Sequence, residues 1–247
     1  MYLRITHRVG IAFGAACLAM AGIGVAAPAP AEASGRVAGI DVARHQSNVD
    51  WRKVARSGIR FAYVKATEGS DYTDPEFRSH YTNAKAAGLY VGAYHFARPN
   101  TSPASQQANR FLDIVGYRAD GKQLPPVLDI EYNPGAGGSC YGRTPAELKS
   151  WIRDFVTVVK RRTGRDAVIY TSPSFWRRCL GDSHAFKNTN PLWIAHYEVS
   201  RPSLPGGWRT WTFWQYTDQG RVPGIAGPVD RNHFNGDEQR LKRFATG

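Results

Sequence analysis

The sequence predicts an α/β protein: a parallel sheet with helices on its outside, closed into a compact barrel that is short of helices in its second half. An open doubly wound sheet is the alternative. Three observations predict the barrel. Strand patterns and helix patterns alternate along the first two thirds of the chain, which is the signature of a parallel sheet with crossover helices. Eight strand candidates fall within residues 34–247, a length that holds one sizeable domain or a whole α/β barrel. No Gly-x-Gly-x-x-Gly or Walker-type loop follows any strand, which argues against a nucleotide-binding open sheet.

The elements follow in order. "RVAGIDV" (36–42) is a strand, and "DWRKVARSG" (50–58) a helix with Asp50 as N-cap and Gly58 as its stop. "IRFAYVKAT" (59–67) is the second strand. "DPEFRSHYTNAKAAG" (74–88) is a helix, with Asp74 at the cap, Pro75 at the first position and Gly88 at the end. "LYVGAYHFA" (89–97) is a strand, "SPASQQANRFLDIVGY" (102–117) a helix and "LPPVLDIEY" (124–132) a strand. The clearest helix is "TPAELKSWIRDFVTVVKRRTG" (144–164), where Thr144 and Glu147 form a capping box around Pro145. Its apolar residues Leu148, Trp151, Ile152, Phe155, Val158 and Val159 share one face. The strand "DAVIYTS" (166–172) follows. "PLWIAHY" (191–197) and "TWTFWQYT" (210–217) read as strands with no long helix between them, "VDRNHF" (229–234) as a last short strand and "DEQRLKRFA" (237–245) as a terminal helix.

The first 33 residues read differently. Arg4 and Arg8 precede an almost wholly apolar run, Ile11–Ala27, and the small-residue exit "APAPAEASG". This is the three-part pattern of an export signal, with cleavage expected after Ala33 and a secreted barrel over 34–247. A retained membrane anchor is the other reading, and the run is short for one, which needs about 20 apolar residues. No later stretch is apolar enough to span a bilayer. The net charge of +12 draws the protein toward anionic partners: nucleic acid, anionic membrane or bacterial wall polymer. Of the three cysteines, Cys17 lies in the apolar run and leaves with the export signal, so Cys140 and Cys179 remain as an even pair in an exported chain, which predicts a disulfide over two free thiols. Such a bridge contributes about 4 kcal/mol in the chain-entropy picture. The histidines lack metal-ligand spacing, and neither a metal nor a cofactor is expected.

Function in parallel α/β proteins sits at the C-terminal strand ends. There the sequence places Asp41, Lys65, His95, Asp129 and Glu131, Tyr170, His196 and Tyr197, Gln215, and finally Asp230, Asn232 and His233. Asp129 and Glu131 stand two apart, about 6.6 Å along a strand, and so share a face. Two close carboxyls in a partly buried site do not both ionise cheaply. A general acid beside a carboxylate is the equipment for cleaving a glycosidic bond, although such a pair also suits a calcium ion or the neutralisation of Lys65 or an Arg. Asp50 and Asp74 read as helix caps, and Glu68 and Asp71 as loop acids. The aromatics Tyr63, Tyr94, Tyr132, Tyr170, Trp193, Tyr197 and Trp214 fall at the same ends, either to stack sugar rings or to pack the core. His95, His196 and His233 read as hydrogen-bonded structural residues.

Together, "GIDVARHQ", "FAYVKATEG", "DPEF", "GAYHFARP", "PVLDIE", "IYTS", "LWIAHY", "FWQYT" and "GPVDRNHFNG" make a sequence that resembles the family 25 glycoside hydrolases, the Chalaropsis-type lysozymes. The resemblance covers nearly all of residues 34–247. It implies a modified, irregular TIM-like barrel and hydrolysis of the β-1,4 bond from N-acetylmuramic acid to N-acetylglucosamine in peptidoglycan. Some members also accept muramic acid O-acetylated at position 6. It implies Glu131 as proton donor, Asp129 as partner carboxylate, and Asp41 and Asp230 as further acids of the site. Lys65, Gln215 and the aromatics are the expected substrate-binding residues. The Cys140–Cys179 pair is outside the general pattern and looks like a subgroup feature. The expected protein is a monomer that acts on bacterial peptidoglycan, with no nucleic-acid partner and no stable membrane insertion. A metal-dependent wall hydrolase or deacetylase, or a non-catalytic peptidoglycan-binding protein, is the alternative.

Overall fold

Inward and outward positions alternate along each strand, and this alternation builds two packed layers. A computed structural model describes residues 35–133 and 138–247; the expected export segment, residues 1–33, lies outside the described residues. The strands are β1 (Arg36–Val42), β2 (Phe61–Glu68), β3 (Tyr72–Thr73), β4 (Tyr90–Phe96), β5 (Val127–Asp129), β6 (Val168–Thr171), β7 (Leu192–Ala195), β8 (Phe213–Gly220) and β9 (Val229–Asn235). All but β3 pair in the ring β1-β9-β8-β7-β6-β5-β4-β2, and β1 pairs with β2 to close it into an eight-stranded barrel. β3 folds back on the end of β2.

The pairings from β1 through β2 and β4 round to β8 are parallel, but β9 is antiparallel to both β8 and β1. This corrects the all-parallel expectation. Only residues 221–228 join β8 to β9, and a parallel return needs a crossover of about a dozen residues or more.

Outward residues such as Ile40, Val64, Leu128, Ile130 and Ile169 pack beneath the helices α1 (Trp51–Arg56), α2 (Phe77–Ala86), α3 (Ala104–Val115), α4 (Pro145–Thr163) and α5 (Pro173–Leu180). The reading of α4 holds in detail: Thr144 Oγ1 accepts the Glu147 N–H, the Glu147 carboxylate accepts the Thr144 N–H, and all six apolar-face residues are buried. Asp50 caps α1 as expected. α2 starts two residues later than expected. Asp74 is not its cap: its carboxylate accepts the Glu76 N–H at 3.0 Å and the Arg44 N–H at 3.1 Å, so it closes a turn and ties down the chain after β1. α5 was not expected at all. Its cap is Ser172, with Pro173 at the first position and Gly181 beyond its end, but at eight residues it is too short to show a period. As expected, no helix lies between β7 and β8 or between β8 and β9.

The barrel interior is filled with rings. Phe61, Tyr63, Trp193, Phe213 and Phe234 are fully or almost fully buried there, and Tyr63 stacks on Trp193 at 4.8 Å between centroids. The terminal helix α6 (Glu238–Thr246) plugs the lower end with Leu241 and Ala245. Two glycines make room for the rings. A Cβ on Gly39 would lie 2.3 Å from the Phe61 ring, and one on Gly92 would lie 2.0 Å from the Tyr63 ring. Neither ring can withdraw, because other rings pack against both. Overpacking of this kind costs about 3 kcal/mol. Gly92→Ala is therefore expected to lower the free energy of unfolding by about that amount, read as a lower urea midpoint at unchanged slope.

Candidate active site

Above the rings the barrel opens into a cavity of about 260 Å³. Asp41, Asp129, Glu131 and Asp230 all line it, so acids far apart in sequence meet at one rim. Asp41 is the last inward residue of β1. Asp230 arrives by a route the sequence reading did not foresee: β9 runs the other way, so its beginning rather than its end reaches the rim, where Asp230 pairs in register with Asp41. β5 ends at Asp129. Glu131 lies two residues beyond, yet both face the cavity while Ile130 packs beneath the helices. The backbone at Glu131 is held by Tyr141, whose hydroxyl donates to the Glu131 carbonyl at 2.7 Å. The neighbouring Cys140 is bridged to Cys179 on α5, as the cysteine count predicted.

Asp41 is held as a hydrogen-bond acceptor. Gln215 Nε2 donates to both its oxygens at 3.0 and 3.1 Å, and Asn232 Nδ2 donates at 2.7 Å. Tyr170 and Tyr197 donate to Gln215 Oε1 at 2.8 and 2.6 Å, and Trp193 Nε1 donates to Asn232 Oδ1 at 2.8 Å. These donors fix the amides so that their N–H groups point at Asp41. Burial raises the Asp41 carboxyl, and these hydrogen bonds oppose it. Asp230 is pushed up to about 9, first by burial and then by the Asp41 charge. It therefore keeps its proton and donates to Asp41.

Asp129 is pushed well above the usual carboxylate range by burial and by the charge of Glu131. Its Oδ1 is buried and has no hydrogen-bond partner among the described residues. Burial, then the Asp41 charge, lifts Glu131 to about 7. The cation in the cavity, Lys65, lowers both acids. It is turned toward Glu68 at 2.7 Å, and Glu68 in turn binds Arg98 at 2.8 Å. Glu68, read from the sequence as a loop acid, thus anchors the lysine. Among the described residues, no group of three or more His, Cys, Asp or Glu is placed to hold a metal ion.

Of the expected substrate-binding residues, Lys65, Tyr94, Tyr170, Trp193, Tyr197 and Gln215 line the cavity. Three lie elsewhere. Tyr63 is sealed in the barrel interior, its hydroxyl donating to the Pro125 carbonyl at 3.3 Å. Trp214 faces outward beside Trp211 and donates to the His196 carbonyl. Tyr132 packs edge-on against Phe175. His45, Phe96 and Asp218 line the cavity without having been foreseen. Asp218 escaped a two-residue alternation because β8 shifts register on either side of Thr217. The buried His95 is structural: its ring bonds Thr67 and Gln107, both at 2.8 Å.

The family model for glycosyl hydrolases family 25 matches residues 40–225. Lysozyme M1 of Streptomyces globisporus is 49% identical over 217 residues, which covers 87% of this chain and 73% of that one. The N,O-diacetylmuramidase of Chalaropsis sp. is 39% identical over 216 residues, covering 85% of this chain and 100% of that one. Among solved structures, the bacterial lysozyme of Streptomyces coelicolor matches with a TM-score of 0.84 at 48% identity, covering 87% and 99% of the two chains. A family 25 lysozyme from Aspergillus fumigatus matches with a TM-score of 0.81 at 42% identity, covering 86% and 100%.

The site destabilises the fold at high pH. Asp230 rises from 3.8 to about 9 on folding, so the folded state holds a proton that the unfolded chain releases. The stabilisation from that proton is complete below the unfolded value and is lost as pH rises through the folded one. Asp230→Asn keeps a donor toward Asp41 without the ionisation. Its melting temperature is expected to exceed that of the wild type near pH 9 and to show no such gain below 3.8, as scanned by calorimetry across that range.

Proposed function

This chain belongs to the family 25 glycosyl hydrolases, and we propose that it is an exported lysozyme that uses Glu131 to protonate the bond it cuts. It is a glycoside hydrolase of the lysozyme, or muramidase, type. The bond is the β-1,4 link from N-acetylmuramic acid to N-acetylglucosamine in peptidoglycan. Residues 1–33 are the export signal and residues 34–247 the catalytic domain, in keeping with the basic, apolar, small-residue order at the N-terminus.

The convergence of Glu131 and Asp129 on the acid-lined cavity carries this reading. A glycosidic leaving oxygen needs a proton in the transition state, and a donor is most effective when its pKa lies near the working pH. Glu131, held at about 7 by burial and by Asp41, meets that condition. Asp129 meets a different one. Its unpartnered Oδ1 can accept the N–H of the 2-acetamido group of muramic acid. The acetamido oxygen, made more nucleophilic by that contact, attacks the anomeric carbon as the bond to the leaving oxygen breaks and Glu131 gives up its proton. Asp129 and Glu131 do not ionise together cheaply; with the proton on Glu131, Asp129 is the carboxylate, and it takes the N–H proton as the ring closes. Water then adds to the anomeric carbon and returns a proton to Glu131 while Asp129 gives its proton back to the nitrogen, so the acetamido group is released with retention, a recognised substrate-assisted course. Asp41, fixed by its amide donors, faces the positive charge that develops on the sugar and favours it. Tyr94, Tyr170 and Trp193 wall the ring.

Fragments from purified peptidoglycan should carry reducing-end muramic acid by mass spectrometry, with the β-anomer formed first by NMR. Reducing-end glucosamine or freed peptides would refute the bond assignment. An α-anomer formed first would instead indicate inversion, with Asp129 or another acid activating a water. Glu131→Gln keeps the shape and removes the proton; kcat is expected to fall at least about 100-fold. Because Glu131 must be protonated to act, the wild-type kcat/KM should decline as pH rises above about 7. In the variant that limb should be absent from the residual rate, and full wall lysis by Glu131→Gln would end the assignment.

A further inference from the structure

A second cavity of about 390 Å³ adjoins the first and shares Glu131, Tyr170 and Tyr197 with it. Its far wall is the start of α5, with Ser174 and Arg177, and the strand end at His196. We propose that this groove takes the leaving side of the glycan, and that Arg177 binds a carboxylate of the peptide stem and so selects strands that still carry stems. The proposal rests on the muramidase reading given above.

The position of Glu131 sets the direction. Its proton goes to the oxygen between two sugars, and Glu131 lines both cavities, so one sugar lies on each side of it. Asp129 lines only the deep cavity, which therefore takes the muramic acid whose acetamido group reacts. The chain on the other side runs into the α5 groove. There the leaving glucosamine is followed by the next muramic acid, which carries a peptide stem.

Charge separates the two cavities. The deep one holds Asp41, Asp129, Glu131, Asp218 and Asp230, and its one lysine is already paired with Glu68. A stem carboxylate is repelled there. Among the described residues, Arg177 is the one lysine or arginine lining the second cavity. Its Nη2 donates to Ser203 Oγ at 2.6 Å, and the Ser203 N–H donates to His196 Nδ1 at 3.0 Å, so the arginine and the opposite wall are joined through one serine. A guanidinium carries about five N–H donors in a planar fork matched to a carboxylate. The serine takes one and leaves the rest for a ligand.

The disulfide fits the same picture. Cys179 lies two positions after Arg177 on α5 and is bonded to Cys140. Cys140 adjoins Tyr141, which holds the Glu131 carbonyl. One covalent staple therefore sets the groove wall that bears Arg177 relative to the acid.

The test compares glycan strands bearing peptide stems with the same strands stripped by an amidase and with the exposed lactyl carboxylates capped as amides, reading kcat/KM on each. The wild type is expected to prefer stem-bearing strands. Arg177→Ala should cut that preference about tenfold, the scale of one charge-assisted hydrogen-bonded contact, chiefly through KM. Arg177→Glu should cut it further, and Arg177→Lys, which keeps the charge and loses the fork, should retain part of it. A wild type with no preference, or an alanine and a glutamate variant that both keep the wild-type ratio, would overturn the proposal. Arg177 is exposed on α5, so its variants should fold. Added salt gives a check that needs no variant: it should drive the wild-type ratio toward one by screening, and a salt-insensitive ratio would also count against the arginine. If the wild type releases reducing-end muramic acid from neither polymer, the muramidase reading itself fails, which is a separate result.

Discussion

The closed, ring-filled barrel interior is the constraint on which the rest of the molecule depends. Phe61, Tyr63, Trp193 and Phe213 pack ring against ring, and this is possible only because Gly39 leaves room for Phe61 and Gly92 for Tyr63. The packed rings make a dry floor. The floor is also wired to the site above it: Trp193 donates to Asn232, and Asn232 donates to Asp41. The residue that fills the barrel thus also orients the amide that holds an acid at its mouth.

A dry floor beneath clustered carboxyls determines their chemistry. Burial is the largest cause of the upward shift at Asp41, Asp129, Glu131 and Asp230, and neighbouring acids add to it at the last three. The protein offsets this cost unevenly. Asp41 receives amide donors and stays an acceptor, Asp230 keeps a proton, and Asp129 retains a lone buried oxygen. Glu131, at the edge, is left near 7. Unlike environments give like side chains unlike roles, which is how one cavity can hold both an acid and a base. Lys65 could flatten these differences, but Glu68 and Arg98 hold it to one side.

The second wall of the site comes from α5 and its disulfide. Ser172, Pro173 and Gly181 delimit the helix, and Cys179 ties it to the Glu131 backbone through Cys140 and Tyr141. The bridge closes a long loop and so also limits the unfolded chain. Stability and the shape of the groove therefore share one bond.

The sequence by itself determined the local features. Caps, glycine stops and apolar periodicity identified α1, α3, α4 and α6 and all eight barrel strands, because those signals act over a few residues. The two-residue spacing put Asp129 and Glu131 on one face for the same reason. Asp41 and Asp230 were legible in the sequence too, although Asp230 reaches the rim from the start of β9 and not from a C-terminal strand end. Only the tertiary structure decided the rest. β9 runs antiparallel because its connection from β8 is short and it fills the place between β8 and β1. Asp74 serves a turn instead of a helix because a backbone amide 30 positions earlier lies within reach. Tyr63 leaves the site because burial depends on where along a strand the barrel opens, and no single strand carries that information; Trp214 leaves it because it alternates with the inward Gln215 and so faces outward. The four proton affinities, and the turning of Lys65 toward Glu68, arise between residues brought together by closure of the ring. Periodicity reports which face a side chain takes; distance and desolvation exist only once the chain has folded.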